Sequence, residues 1–121
     1  MDRIKSIRSQ ADIDEALSRK SAVVFKHSTR CGVSSRAKQE YETFAQNSDG
    51  QADLYLVDVI ADRGLSEEIA RRTGIRHESP QALFIHEGNV TDSITHYQIN
   101  TESLARGVRQ ESFKERGSSA P

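Results

Sequence analysis

Three features of this chain predict an α/β fold with a central mixed β-sheet and flanking helices. An apolar, β-branched run at 22–26 passes through a polar loop into residues 34–46, where Ala37, Tyr41, Phe44 and Ala45 share one face at helical spacing. A second such run, 54–59, follows that helix, and strand, helix, strand implies a right-handed parallel crossover. Further on, 82–86 and 90–97 flank the tight turn Glu87-Gly88-Asn89 and read as an antiparallel hairpin. Parallel and antiparallel pairings in one chain make the sheet mixed.

The other elements follow in order. Residues 4–7 suit a short first strand. Ser9 with Asp12 three positions on resembles a capping box, and Ile13, Ala16 and Leu17 give the helix behind it an apolar face. The helix at 34–46 ends at the turn cluster Asn47-Ser48-Asp49-Gly50. A helix over 65–73 carries Leu65 and Ile69 inward and stops at Gly74, in the position of a C-cap. The loop after it, 75–80, ends in proline. Asn100 caps a last helix running through Leu104 and Val108 to 116, in which Gly107 costs about 1 kcal/mol against alanine. These elements make one domain over 1–116, followed by a flexible tail, 117–121, without means of packing.

Composition bounds the function. At 121 residues the chain can bury a real core, and its formal net charge of −1 offers no basic excess for nucleic acid. Charges of both signs are interspersed, as on a solvated surface. Residues 1–20 are charged throughout and no apolar run reaches ten residues, so neither a secretory signal nor a membrane span is expected. A cytoplasmic location is the expectation. The single cysteine allows no intramolecular disulfide, which suits a reducing compartment, and with His86 and His96 as the hairpin's only histidines there is no metal-site pattern.

That cysteine, Cys31, sits where a strand hands over to a helix N-terminus. Helical N–H groups without intrahelical partners, the macrodipole, and the cations Lys26 and Arg30 would all favour the thiolate there. Lowering a thiol pKa from about 8.5 to about 6.5 raises the thiolate fraction at pH 7 from roughly 3% to roughly 75%, while a Brønsted slope of about 0.45 takes back roughly eightfold in nucleophilicity. The larger gain is as a leaving group, so the site suits making and then losing a mixed disulfide. A small inert cysteine at the end of a core strand is the competing reading.

The element order β, α, β, α, β, α, β, β, α is that of the thioredoxin-like fold. Lys26-His27-Ser28-Thr29 before the cysteine, Val57-Asp58-Val59 on the next strand and Arg76-His77-Glu78-Ser79-Pro80-Gln81 before the hairpin together resemble the monothiol bacilliredoxins, the YtxJ-like proteins of the thioredoxin superfamily, over nearly the whole chain. His-Glu-Ser-Pro-Gln is the more specific segment. The resemblance implies a thiol-disulfide oxidoreductase that removes bacillithiol, a low-molecular-weight thiol, from S-bacillithiolated protein cysteines. Cys31 would be the nucleophile, and bacillithiol the thiol co-substrate with no cofactor bound. Another bacillithiol or a separate redoxin would regenerate the enzyme. The active-site loop, Thr29, Arg30, Gly32, Val33 and Ser34 around Cys31, departs from the family's commonest Thr-Cys-Pro-Ile-Ser at Arg30, Gly32 and Val33. The resemblance also implies that Pro80 is a cis-proline facing the cysteine, in a substrate-binding loop with His77, Glu78 and Ser79. Read from position, His77 either stabilises or orients the thiolate or is simply solvated, His27 either tunes the thiol or is structural, Lys26 adds cationic charge nearby, and the hydroxyl of Ser34 is within reach of the Cys31 sulfur.

Two rival functions come from other classes. Four residues separate Cys31 from Arg36, one fewer than in the Cys-x5-Arg loops of phosphatases and arsenate reductases. A non-catalytic thioredoxin-like module, with an inert Cys31 and a peptide held near Pro80, is the second.

Overall fold

A computed structural model of the chain describes residues 3–48 and 50–110. In chain order its elements are β1 (Ile4–Ser6), α1 (Gln10–Leu17), β2 (Ser21–His27), α2 (Gly32–Asn47), β3 (Asp53–Asp58), α3 (Arg63–Thr73), β4 (Gln81–His86), β5 (Asn89–Thr95), a 3-10 turn (His96–Gln98) and α4 (Thr101–Val108). One five-stranded sheet has the order β1-β3-β2-β4-β5. β1, β3 and β2 are parallel, and β4 runs antiparallel to both β2 and β5. The fold is the expected α/β architecture with a mixed sheet.

β2 lies at the centre, paired on both sides, and six of its seven residues are buried. Its side chains alternate between faces. Val23 and Phe25 join Ala37, Tyr41 and Ala45 of α2 and Leu104 and Val108 of α4 in one core cluster. Ala22 and Val24 join Ile13 and Ala16 of α1 and Ile69 of α3 in the other. The Tyr41 hydroxyl, fully buried, donates to the Tyr55 carbonyl at 2.8 Å and so ties α2 to the sheet without an unpaired polar group. Helix ends follow the sequence signals. Ser9 accepts from the Asp12 N–H, Asn100 accepts from the Ser103 N–H, and Gly74 takes the left-handed conformation, φ 73°, that closes α3.

Two expectations are corrected. β5 ends at Thr95 rather than 97, because Thr95 caps the 3-10 turn and Gln98 answers as its reciprocal partner, a Thr-x-x-Gln capping box readable in the sequence. α4 ends at Val108, where the Arg109 N–H bonds to the Ala105 carbonyl and Gln110 turns left-handed at φ 63°. The expected course to 116, the tail at 117–121 and Asp49 of the turn cluster lie outside the described residues. Gly107 is no defect in α4, since a Cβ there would lie 2.2 Å from the Phe84 ring. The glycine lets helix and sheet approach to contact.

Candidate active site

Beyond His27 the chain turns through Ser28 to Cys31 and enters α2. The Cys31 N–H donates to the Ser28 carbonyl at 3.3 Å, and the Cys31 carbonyl accepts the first helical bond, from Ser35, at 3.0 Å. Cys31 is therefore the N-cap of a 16-residue helix, in extended conformation, with no capping bond from its side chain. Its thiol is free and partly exposed. The helix begins at Gly32, two residues ahead of expectation, and its first N–H groups and dipole surround the sulfur with partial positive charge. Thr29, Arg30 and Gly32 are exposed and Val33 is half-buried. A Cβ at position 32 would meet nothing within 4 Å, so open space flanks the thiol there.

Ser34 does not serve the sulfur as expected. It is fully buried, its Oγ accepts from the Ser28 N–H at 2.9 Å, and the same Oγ lies 2.8 Å from His27 Nδ1. The hydroxyl and the His27 ring nitrogen share one hydrogen bond, while a lone pair of the same oxygen takes the Ser28 N–H. Burial and the nearby Lys38 hold His27 below the usual histidine range, which keeps that ring neutral. His27 also stacks on Phe25, with centroids 6.1 Å apart. Ser34 and His27 thus lock the cysteine loop onto the start of α2.

Lys26 points to the opposite face of the sheet, toward α3, and is fully buried. Its ammonium lies 3.2 Å from the Ser66 carbonyl and 3.2 Å from His77 Nδ1 rather than at Cys31, which corrects its expected place beside the thiol. Burial lowers its pKa to about 8. His77 Nδ1 is turned to Lys26 and to Ser66 Oγ, each at 3.2 Å, so of its two ring nitrogens Nε2 is the one left for the expected role toward the thiolate. Burial and the Lys26 charge lower the pKa of His77.

The Ser79–Pro80 peptide is cis. Pro80 is buried and leads straight into β4, while Glu78 and Ser79 are half-buried and His77 is exposed. Gln81 closes the loop from inside by donating to the Arg76 carbonyl at 3.0 Å. Between the cysteine loop, the β3–α3 turn, α3 and the cis-proline loop lies a cavity of about 490 Å³, whose walls include Ser28, Arg30, Arg63, Ser66, His77 and Ser79. The Asp58 carboxylate fixes the β3–α3 turn, whose Ile60 lines the cavity, by accepting from the N–H groups of Ile60 and Ala61, at 2.9 and 3.0 Å. Those bonds lower the Asp58 pKa.

Sequence reasoning missed Ser28, Arg63 and Ser66 as wall residues. In the structure β2 sends Lys26 and His27 to opposite faces, but its six consecutive buried residues hide that alternation in the sequence. Among the described residues no group of three His, Cys, Asp or Glu side chains could hold a metal ion, and no helix is long and apolar enough to cross a membrane.

A family model described as "Monothiol bacilliredoxin BrxC" matches residues 2–104. Among solved structures, a protein assigned as an oxidoreductase with a thioredoxin fold is 30% identical, with a TM-score of 0.77, covering 86% of this chain and 92% of its own. A thioredoxin of Malassezia sympodialis is 22% identical, with a TM-score of 0.70 and coverage of 88% and 89%. A mutant thioredoxin of Halobacterium salinarum is 18% identical, with a TM-score of 0.70 and coverage of 88% of each chain. These last two likenesses concern the fold alone. The matches and the thiol at a helix N-cap support a thiol redox role.

Proposed function

Since the chain belongs to the monothiol bacilliredoxin family, we propose that it removes bacillithiol from S-bacillithiolated protein cysteines through a mixed disulfide on Cys31. The carrying observation is that the chain's only thiol caps α2, unengaged and partly exposed, while the position three residues on holds a buried hydroxyl. The Cys31 thiolate attacks the bacillithiol sulfur of the target's mixed disulfide. The target's S–S bond breaks, its cysteine leaves as a thiolate and takes a proton, and a Cys31–bacillithiol disulfide forms. No net oxidation occurs. A second bacillithiol, or a separate redoxin, then attacks the carried sulfur, leaves with it as a disulfide, and releases Cys31 reduced.

The cavity supports this reading. Bacillithiol carries carboxylates and sugar hydroxyls, which are acceptor-rich, and the cavity wall presents Arg30, Arg63 and the hydroxyls of Ser28, Ser66 and Ser79. Its solvent-exposed charges would contribute at most about 1 kcal/mol each, so they steer more than they hold. The cytoplasm is the compartment where such chemistry is expected.

Intact-mass spectrometry tests the proposal. Mixed with an S-bacillithiolated target, the wild type should gain one bacillithiol while the target loses one, and Cys31→Ser should do neither. An unmodified Cys31 after complete incubation would sink the mechanism. Equal rates with glutathionylated and bacillithiolated forms of one target would remove the bacillithiol preference and leave the monothiol chemistry standing.

A further inference from the structure

Among the described residues Lys26 is the only lysine, arginine or carboxylate residue that is buried, and no carboxylate lies within ion-pair distance of it. Placing an unpaired ammonium in a core is costly, and the mechanism above makes no use of it. Its two partners, the Ser66 carbonyl and His77 Nδ1, lie on different segments, one on α3 and one in the cis-proline loop. An ammonium only donates. His77 Nδ1 must therefore accept, and a neutral imidazole that accepts at Nδ1 carries its proton on Nε2. The Nδ1 edge is taken up by Lys26 and Ser66, and Nε2 has no protein partner among the described residues. Because His77 is exposed and lines the cavity, its Nε2–H edge is the one left to meet a ligand.

We infer that Lys26 is a positioning residue: by donating to His77 Nδ1 it holds the ring as the Nε2–H tautomer, so that His77 offers a neutral donor to the oxygen-rich part of a low-molecular-weight thiol in the cavity. The inference rests on the functional reading above for the ligand's identity, but the state of the ring does not. The charged groups facing His77 are Lys26 from β2, Glu67 and Arg63 from α3, and Glu78 from its own loop.

Two measurements test it. Long-range ¹H–¹⁵N spectra of the imidazoles, recorded without any thiol, should show His77 in the wild type as neutral Nε2–H at pH 7, titrating below the ordinary histidine range. In Lys26→Met its midpoint should move upward, because a nearby cation has gone, while circular dichroism stays native. Lys26→Gln, which keeps a neutral N–H, should retain more of the tautomer preference than Lys26→Met. In transfer assays Lys26→Met should raise KM for the bacillithiol mixed disulfide by roughly threefold to tenfold, the value of one hydrogen bond, with kcat within about twofold. A wild-type His77 protonated on Nδ1, an unmoved midpoint in Lys26→Met, or an unchanged KM would each overturn the inference. Absence of transfer by the wild type would overturn the functional reading, and Lys26's part in it, while the spectra still report whether Lys26 sets the ring.

Discussion

At the C-terminal end of β2 two consecutive residues serve opposite faces of the sheet, and the faces end differently. On the α2 side, the Ser34 hydroxyl joins the Ser28 N–H and His27 Nδ1 in one buried cluster. On the α3 side several donors beside the cavity keep unused capacity. Lys26 has three N–H bonds and two partners, His77 Nε2–H has none, and no side-chain bond or ion pair is made by Arg30 among the described residues. A buried, bonded cluster fixes geometry, whereas spare donors beside a cavity suit an acceptor-rich ligand. The α2 face holds the cysteine loop in place, and the α3 face is where the proposed ligand would be met.

The sharpest way to break this contrast is on the α2 side. Ser34→Cys removes the hydroxyl that bridges Ser28 and His27 and places a thiol at the first helical turn, in a Cys-x-x-Cys spacing with Cys31. Under mild oxidation the variant should pass from two titratable thiols to none. Two thiols remaining after oxidation would show that the loop geometry is wrong.

Intolerance of this face deeper in the core gives the next effect. Gly107→Ala should cost about 1–3 kcal/mol in urea denaturation despite the better helix propensity of alanine, because Phe84 is 1% exposed and its ring has nowhere to retreat. Unchanged stability would mean that α4 can lift from the sheet.

The α3 face yields the smallest effect and one with a diagnostic sign. Lys26 has its pKa lowered from 10.5 to about 8 in the fold, so between those values the unfolded chain binds the proton that the native protein has lost. Stability therefore rises with pH through this window. Relative to Lys26→Met, the wild type should gain up to about 2 kcal/mol between pH 8 and 10, and the titration of the buried Tyr41, common to both proteins, cancels in the difference. A flat difference would mean that Lys26 is solvated in the native state.

Much of this was legible in the sequence, and the exceptions have physical causes. Apolar runs and turn residues located each strand and helix, although β5 and α4 stop short of their expected ends, and Ser9, Gly74 and Asn100 announced their helix ends through local chemistry. Lys26 was misplaced because a strand buried on both faces reads as one continuous run, so its alternation is hidden until the packing helices are known. Gly107 was read by propensity alone, which is blind to a ring pressed against the helix from another strand. The cis state of the Ser79–Pro80 bond followed from resemblance and not from any local signal. The cavity joins three stretches of the chain, 28–30, 59–67 and 77–79, and Ser66 and Arg63 carry no mark in the sequence that they belong with His77.

The oxygen of Ser34 also sets a clock. With no second thiol in the chain to expel the bound group from within, the proposed adduct on Cys31 can end only by collision with an outside thiol. Its lifetime then varies inversely with the free thiol around it. Through that dependence the protein would hold its cargo longest when the surrounding pool is most depleted, and the fraction of chains carrying it at any moment would be a running record of that pool.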